Sequence, residues 1–171
     1  MGFNPQPKKG MPDKKLRTPL KRTSVKKLKR FNITDKQKKR IREKIKLGTK
    51  RLELVKILDS VFSKYIRMQH MDERGFVQCF TCPTSRPLAQ MQNGHFVSRK
   101  NMSLRFEPIN CRPQCKDCNE YKRGNLEVYA QRLGEKVLDE IASLKRQNRR
   151  WTQDELQSEI NHYRKLIAEL K

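Results

Sequence analysis

The sequence lacks any long hydrophobic run. No apolar stretch in its 171 residues approaches the roughly 20 residues that a membrane-spanning helix needs. The basic N-terminus is not followed by an apolar segment, so a secretory signal is not expected. Hydrophobic residues make up only 35% of the chain, which supports a small core. We therefore expect a cytoplasmic protein that makes no membrane contact.

Acidic residues are scarce relative to basic ones. The chain has 18 Asp and Glu against 41 Lys and Arg, for a net charge of +23. A charge of this size repels itself unless a polyanion is bound, and it far exceeds what solubility requires. Nucleic acid is the favoured polyanion. An anionic membrane surface is less favoured, because no basic helix with an exposed apolar face is evident.

Cysteines are few and confined to one region. Cys79-x-x-Cys82 precedes Cys115-x-x-Cys118 by a gap of 32 residues. Two such knuckles can hold one tetrahedral Zn²⁺ through four thiolates, which makes a closed structural site. A redox dithiol is less favoured because a second CxxC is present. Cys111 has no partner at this spacing, so we interpret it as a buried or incidental thiol that could replace one of the four ligands.

The chain divides into segments of different character. Residues 1–33 are basic and interrupted by prolines, which predicts a disordered arm. Residues 34–70 predict a basic helical segment, 76–133 a zinc-containing core and 134–171 C-terminal helices. The arm contains a tract suited to DNA phosphates: Lys26, Lys27, Lys29 and Arg30.

Helices are predicted from apolar spacing and capping residues. Thr34 and Asp35 are N-cap candidates, Gly48 is a candidate break, and 49–69 has an apolar face. Further helices are predicted over 119–133 and 135–147. A capping box at Thr152 to Glu155 starts a last helix. Its apolar seam is either a packing face or a short two-stranded oligomer seam.

The segment between the knuckles carries a histidine and an asparagine, and another asparagine follows the last cysteine. His95 follows a glycine on a β-like run, Asn110 comes 15 residues later, and Asn119 directly follows Cys118. A lone histidine such as His95 is most often a surface residue or a core residue with its hydrogen bonds satisfied. Each asparagine, taken alone, could serve a turn or a helix cap. In order, however, they resemble the zinc-containing HNH, or ββα-metal, nucleases, whose pattern ends in CxxC-Asn-x-x-Lys, here at Lys122.

The sequence also resembles the phage NinG (Rap) recombination endonucleases over roughly residues 77–170. The matching residues are Gly94-His95, Leu104-Arg105-Phe106, Asn110, Gln114-Cys115, Cys118-Asn119, Gly124-Asn125-Leu126, Tyr129 and Trp151-Thr152. This resemblance implies a phage protein that acts on branched DNA such as Holliday junctions or D-loops. Candidate partners are phage recombination proteins and a second copy of the chain, since two strands must be cut.

The resemblance implies an α+β fold and a set of roles. A small ββα-metal (HNH) core at 76–133 would be flanked by helices, with the basic arm at the N-terminus. His95 would be the general base, Asn110 would orient His95 or brace its loop, and Asn119 would help bind Mg²⁺ or Mn²⁺, with His95 as a tentative second ligand. The residues expected to contact DNA phosphates are Arg99, Lys100, Arg105, Lys122 and Arg123.

One departure leaves the catalytic metal site incomplete. Many HNH nucleases have a metal-binding Asp or His directly before the catalytic histidine, whereas this chain has Gly94. The missing ligand could be His95 itself or one of four other residues. These are Asn93, Asp117, Glu120 and Glu127. Two other functions compete: a non-catalytic zinc module that binds DNA or RNA, and a packaging-type HNH nickase.

Overall fold

A computed structural model describes residues 34–170 of the chain. By internal contacts the chain divides into two units, Met1–Ile41 and Arg42–Lys171. The expected basic arm, including Lys26, Lys27, Lys29 and Arg30, lies outside the described residues. The four-segment division therefore stays a prediction.

The first element is a long helix, α1, that spans Asp35–Met68. At its start the Thr34 hydroxyl accepts a hydrogen bond from the Gln37 backbone N–H (3.3 Å), as expected of an N-cap. The expected break at Gly48 is wrong, since the helix continues through it. A mid-helix glycine costs about 1 kcal/mol relative to alanine. Burial of Leu54, Leu58 and Phe62 in the following turns offsets that cost.

In the described part of the chain, four short strands form two separate antiparallel pairs. Strand β1 (Phe76–Gln78) pairs with β2 (Ser85–Pro87), and the first cysteine knuckle lies in the connection between them. Strand β3 (Gln92–His95) pairs with β4 (Cys111–Gln114), so that His95 lies opposite Cys111. The second knuckle begins directly after β4. The long gap between the knuckles therefore contains β3, β4 and the loop that joins them.

The predicted continuous helix over 119–133 is wrong. A single π-helical turn covers Asp117–Tyr121, and α2 begins only at Leu126, as Leu126–Leu133. Between them Arg123, Gly124 and Asn125 all have positive φ, at 51°, 88° and 47°. Three successive left-handed residues cannot continue a right-handed helix.

Two further helices follow in the described residues. Helix α3 spans Glu135–Lys145 and α4 spans Gln153–Glu169. The predicted capping box is confirmed: the Thr152 side chain accepts from the Glu155 backbone N–H, and the Glu155 carboxylate accepts from the Thr152 N–H. The apolar seam of α4 is a packing face, because Leu156, Ile160 and Tyr163 are buried in the core.

The main core lies between α1, α4 and the loop that follows β3. Phe62 packs edge-on against Phe106 and Tyr163, with ring centroids 5.9 and 5.0 Å apart. Trp151 closes one side of this cluster, and its indole N–H donates to the Met102 carbonyl (2.9 Å). The result is a mixed α+β protein in which helices predominate and the sheets are small. Among residues 34–170, no helix is both long enough and apolar enough to cross a bilayer.

Candidate metal centre and active site

The four knuckle cysteines converge at one point. Their Sγ atoms all lie within 4.8 Å of one another, and the Sγ atoms of Cys82 and Cys115 are 3.7 Å apart. Zn–S bonds of about 2.3 Å in a tetrahedron put sulfur atoms about 3.8 Å apart. All five cysteines have free thiols. The geometry and the donor type therefore fit a structural zinc ion held by Cys79, Cys82, Cys115 and Cys118.

The thiols of this centre are unequal in their tendency to ionise. Burial raises the pKa of Cys115 to about 12 and also raises that of Cys118. At Cys82 burial acts in the same direction, but hydrogen bonds from Thr84 and the neighbouring thiols outweigh it and lower the pKa to about 6. Four thiolates at such short distances would repel one another. A divalent cation at their centre supplies the charge that offsets this repulsion.

Cys111 is separate from the centre. It is fully buried on β4 among the main core residues. Burial raises the pKa of its thiol far above the ordinary value. The structure therefore agrees with a buried inert thiol and not with a replacement ligand.

His95 and Asn119 line one cavity of about 370 Å³. Strand β3 carries His95, and the π-helical turn that includes Cys118 carries Asn119. Helix α1 also lines the cavity, through Asp59, Ser63 and Arg67, which follow one another at steps of four along one helix face. Arg99 completes the set of basic residues in the cavity.

The His95 ring is held by a backbone carbonyl. Its Nε2 lies 3.1 Å from the carbonyl oxygen of Arg105. A carbonyl only accepts hydrogen bonds, so Nε2 carries the proton and the neutral ring has an unprotonated Nδ1. Burial lowers the pKa of His95, although the carbonyls of Arg105 and Asn93 act against it. The neutral ring that a general base requires is therefore favoured.

Asn110 does not line the cavity. It is fully buried, and its amide accepts from the Val97 N–H (2.8 Å) and donates to the carbonyls of Val97 and Leu104 (both 3.0 Å). These bonds tie together the two ends of the loop that follows β3. Its position matches the loop-bracing alternative and excludes direct contact with a molecule in the cavity.

The predicted phosphate-contacting residues are dispersed. Arg99 lies in the cavity, whereas Lys100 faces a second cleft. Lys122 and Arg123 are exposed after the π-helical turn and line neither. The Arg105 guanidinium is paired with the Asp59 carboxylate, with Nε donating to Oδ1 at 2.9 Å. Arg105 is therefore less available for phosphate than the sequence suggested.

Of the four residues proposed as alternatives to His95 for the missing metal ligand, two line the cavity. Asn93 and Glu120 line it, whereas Asp117 and Glu127 do not. Both polar atoms of the Asn93 amide are buried without a conventional hydrogen-bond partner in the described part of the chain, although the Cys111 thiol is nearby. Asn119 uses its Nδ2 to donate to Gln92 (2.6 Å), which leaves its Oδ1 as a candidate ligand. Oxygen donors of this kind suit Mg²⁺.

A side chain at position 94 could not act as the missing metal ligand in this register. Side chains alternate along a strand, so Asn93 and His95 share the cavity face and position 94 points the other way. A Cβ there would collide with the buried Gln114 side chain. The Gln114 amide in turn donates to the Thr81 hydroxyl (2.9 Å) and the Gly124 carbonyl (2.7 Å). The glycine thus lets the buried Gln114 side chain pack directly against β3.

Comparison with known proteins assigns the chain to a family. Residues 6–171 match the family described as Bacteriophage Lambda NinG protein. The chain belongs to the NinG family. It is 30% identical over 122 residues to the ninG proteins of Escherichia phages 933W and lambda, covering 68% of this chain. The ninG protein of Salmonella phage P22 is equally similar, at 30% over 122 residues.

The matched region does not cover the whole of these NinG relatives. It spans 58% of the phage 933W protein and 57% of the lambda protein. A shorter match, 38% identical over 72 residues, relates the chain to the ninG protein of Enterobacteria phage H19B. No solved structure matches the chain.

Helix α1 contributes residues to the candidate site of this NinG-family protein that the motif-based prediction did not include. Asp59 and Arg67 were not among the candidate site residues, although the spacing of Asp59, Ser63 and Arg67 is a polar stripe beside the apolar face. Arg67 donates to the carbonyls of Leu88 (2.9 Å) and Met91 (3.1 Å) and so anchors the chain just before β3.

Proposed function

We propose that this chain is a metal-dependent endonuclease that hydrolyses phosphodiester bonds in branched DNA. The observation that carries the proposal is the shared cavity of His95, Arg99 and Asn119, built beside a four-cysteine centre. The succession along the chain of β3, β4 and then the π-helical turn supports a compact ββα-metal (HNH) core. The net charge of +23 supports a nucleic acid substrate.

In this mechanism His95 acts as the general base. Its Nε2–H donates to the Arg105 carbonyl, so Nδ1 accepts the proton of the attacking water. Asn110 keeps the loop after β3 in place, and with it the Arg105 carbonyl. Asp59 holds the Arg105 side chain through their ion pair. Arg99 binds the phosphate that is attacked.

Asn119 is the main candidate to bind the catalytic divalent ion, together with Asn93, Glu120 or His95 itself. A bound Mg²⁺ or Mn²⁺ would neutralise charge on the phosphate and on the leaving oxygen. Neutral amide ligands bind such ions more weakly than carboxylates do. We therefore expect weak metal binding in the absence of DNA.

The first experiment compares His95→Ala with the unaltered protein on a synthetic four-way junction and a matched linear duplex. Cleavage is measured with Mg²⁺ or Mn²⁺ and with EDTA. We expect metal-dependent cutting of the junction, and a loss of at least roughly 100-fold in rate in the variant, since general bases contribute about that much. DNA affinity should be nearly unchanged.

His162→Ala is the matched control, because His162 is an exposed histidine on α4 that does not line the cavity. It should cut at the normal rate. Unaltered cutting by His95→Ala would refute the proposed base. Tight binding without cutting under either ion would support the competing function, a non-catalytic zinc module. Cutting of linear or nicked DNA in preference to the junction would favour a packaging-type nickase.

A further inference from the structure

The loop that follows His95 also lines a second cleft. This cleft has a volume of about 430 Å³ and is lined by part of this loop, by α1 and by the connection between α3 and α4. Six of the lining residues are basic and none is acidic. These residues are Arg51, Lys100, Lys145, Arg146, Arg149 and Arg150.

The walls of this basic cleft are fixed by hydrogen bonds. The Ser103 hydroxyl accepts from the Arg149 backbone N–H (3.1 Å) and donates to the Gln147 carbonyl. Asn101 donates to the Lys145 carbonyl at the end of α3 (3.0 Å). From α1, the Arg51 Nε donates to the Trp151 carbonyl (3.0 Å). The segment between α3 and α4 thus has a defined conformation.

The charge in the cleft is largely uncompensated. Arg149 lies over the Trp151 ring at 3.7 Å and is 3.7 Å from the Glu107 carboxylate. Lys145, Arg146 and Arg150 are exposed and have no ion pair within residues 34–170. Cations at a helix C-terminus interact favourably with the helix dipole. That effect accounts for Lys145 and Arg146 at the end of α3, but not for Lys100 or Arg150.

The cleft and the His95 cavity share one loop. Arg99 lines the cavity and its neighbour Lys100 lines the cleft. A chain of phosphates that passes His95 and Arg99 would therefore meet the basic cleft next. Phosphodiester groups recur every few ångströms along a nucleic acid strand, whereas a single small anion would need only one or two of these cations.

We propose that this basic cleft binds the sugar–phosphate backbone of DNA that flanks the phosphate held at His95. The proposal rests on the proposed function for its substrate class. It adds a contact surface built by Lys145, Arg146, Arg149 and Arg150, which lie outside the expected HNH core at 76–133. Contacts of this kind position the substrate and strengthen binding without reading base sequence.

The test is a triple neutralisation, Lys145→Gln, Arg146→Gln and Arg150→Gln. Their side chains make no hydrogen bond within the described residues, so the fold should be preserved, as checked by thermal unfolding. Binding of zinc-loaded protein to a fluorescent four-way junction is measured without other divalent ions over a range of salt concentrations. Loss of three phosphate contacts should weaken binding roughly tenfold or more and reduce the slope of log K against log salt by up to roughly 2.7.

The matched control is Arg86→Gln, Lys136→Gln and Arg164→Gln, which removes the same charge from exposed positions away from the cleft. It should leave the salt slope nearly unchanged. Equal losses in both triple variants would overturn the proposal, because net charge alone would then explain binding. Unchanged DNA binding by the cleft variant would overturn the proposal too. Binding to anionic phosphatidylglycerol vesicles is measured in parallel, and a variant that binds DNA normally but these vesicles more weakly would indicate a lipid-binding surface instead. Because no cutting is measured, failure of the nuclease proposal would be seen separately, with His95→Ala.

Discussion

Cysteines of the same sequence region differ in chemistry because their surroundings differ. Cys82 is partly exposed at a centre of four converging sulfur atoms, whereas Cys111 is buried among hydrocarbon side chains. Spacing alone separated the two, since only Cys79, Cys82, Cys115 and Cys118 occur in knuckles. The two residues therefore make a matched pair for a test of zinc binding.

We expect Cys82→Ala to lose the zinc ion and Cys111→Ala to retain it. A tetrahedral site that loses one of four thiolates binds zinc far more weakly, and binding of a structural zinc contributes to the free energy of folding. Zinc content after dialysis, measured by mass spectrometry, and the unfolding temperature are the readouts. Equal zinc content in the two variants would show that the four-cysteine centre is not the zinc site.

The residues of the candidate active site were only partly predictable. His95 and Asn119 were found because they lie at fixed positions relative to the knuckles, so local sequence order carries the information. Asp59 lies 46 residues before Arg105, and its ion pair with it depends on how α1 packs across the cavity. No local pattern encodes such a contact. The cavity-facing role of Asn93 likewise required the register of β3.

At the scale of elements, local signals were reliable where a hydrogen bond or an apolar period specifies a helix. The capping box of α4 is the clearest case. The sequence was misleading at two glycines. Gly48 was predicted to break a helix but lies within one, and Gly124 lies in a left-handed break inside the predicted helix over 119–133. Tertiary packing decides whether a glycine continues or ends a helix. Downstream burial maintains α1, and the turn after Cys118 is closed by the Gly124 N–H donating to the Cys118 carbonyl (2.8 Å).

The capping box gives an element-scale prediction. Thr152→Ala should lower the free energy of unfolding by about 1 kcal/mol, because the N–H of Glu155 loses its acceptor. For a domain of this size the unfolding temperature should fall by roughly 3–5 °C. Thr49→Ala is the control, since Thr49 is exposed inside α1 and alanine has the higher helix propensity. A loss as large in Thr49→Ala would show that the cap is not the cause.

The same capping box predicts a dependence on pH. The hydrogen bond from the Thr152 backbone N–H lowers the pKa of Glu155 from its ordinary value of 4.5. A depressed pKa in the folded state stabilises the fold above the unfolded pKa, and this stabilisation is lost as the pH falls through the folded value. Glu155→Gln should therefore be less stable than the unaltered protein at pH 7. Chemical denaturation at a series of pH values should show this difference shrinking below pH 4.5, and a constant difference would contradict the charge-based part of the cap.

At the scale of the whole molecule, charge is distributed very unevenly along the chain. Residues 1–33 contain eleven Lys or Arg and a single acidic residue, Asp13. The described region adds the basic cleft and the cavity with Arg99. Composition predicted a polyanionic partner, but only the folded structure shows that basic residues far apart in sequence, such as Arg51 and Arg150, line one surface.

Removal of residues 1–33 should weaken DNA binding and reduce its dependence on salt. Each phosphate that the segment neutralises contributes about 0.9 to the slope of log K against log salt, because bound counterions are released. The measurement is the affinity for a four-way junction at several salt concentrations, for the full chain and the shortened one. A chain in which residues 2–33 are shuffled should keep the full slope, since contacts with the DNA backbone depend on charge and not on order. An unchanged slope after removal would mean that the segment does not contact DNA. A slope lost on shuffling as well would point to a specific contact that requires the natural order of residues.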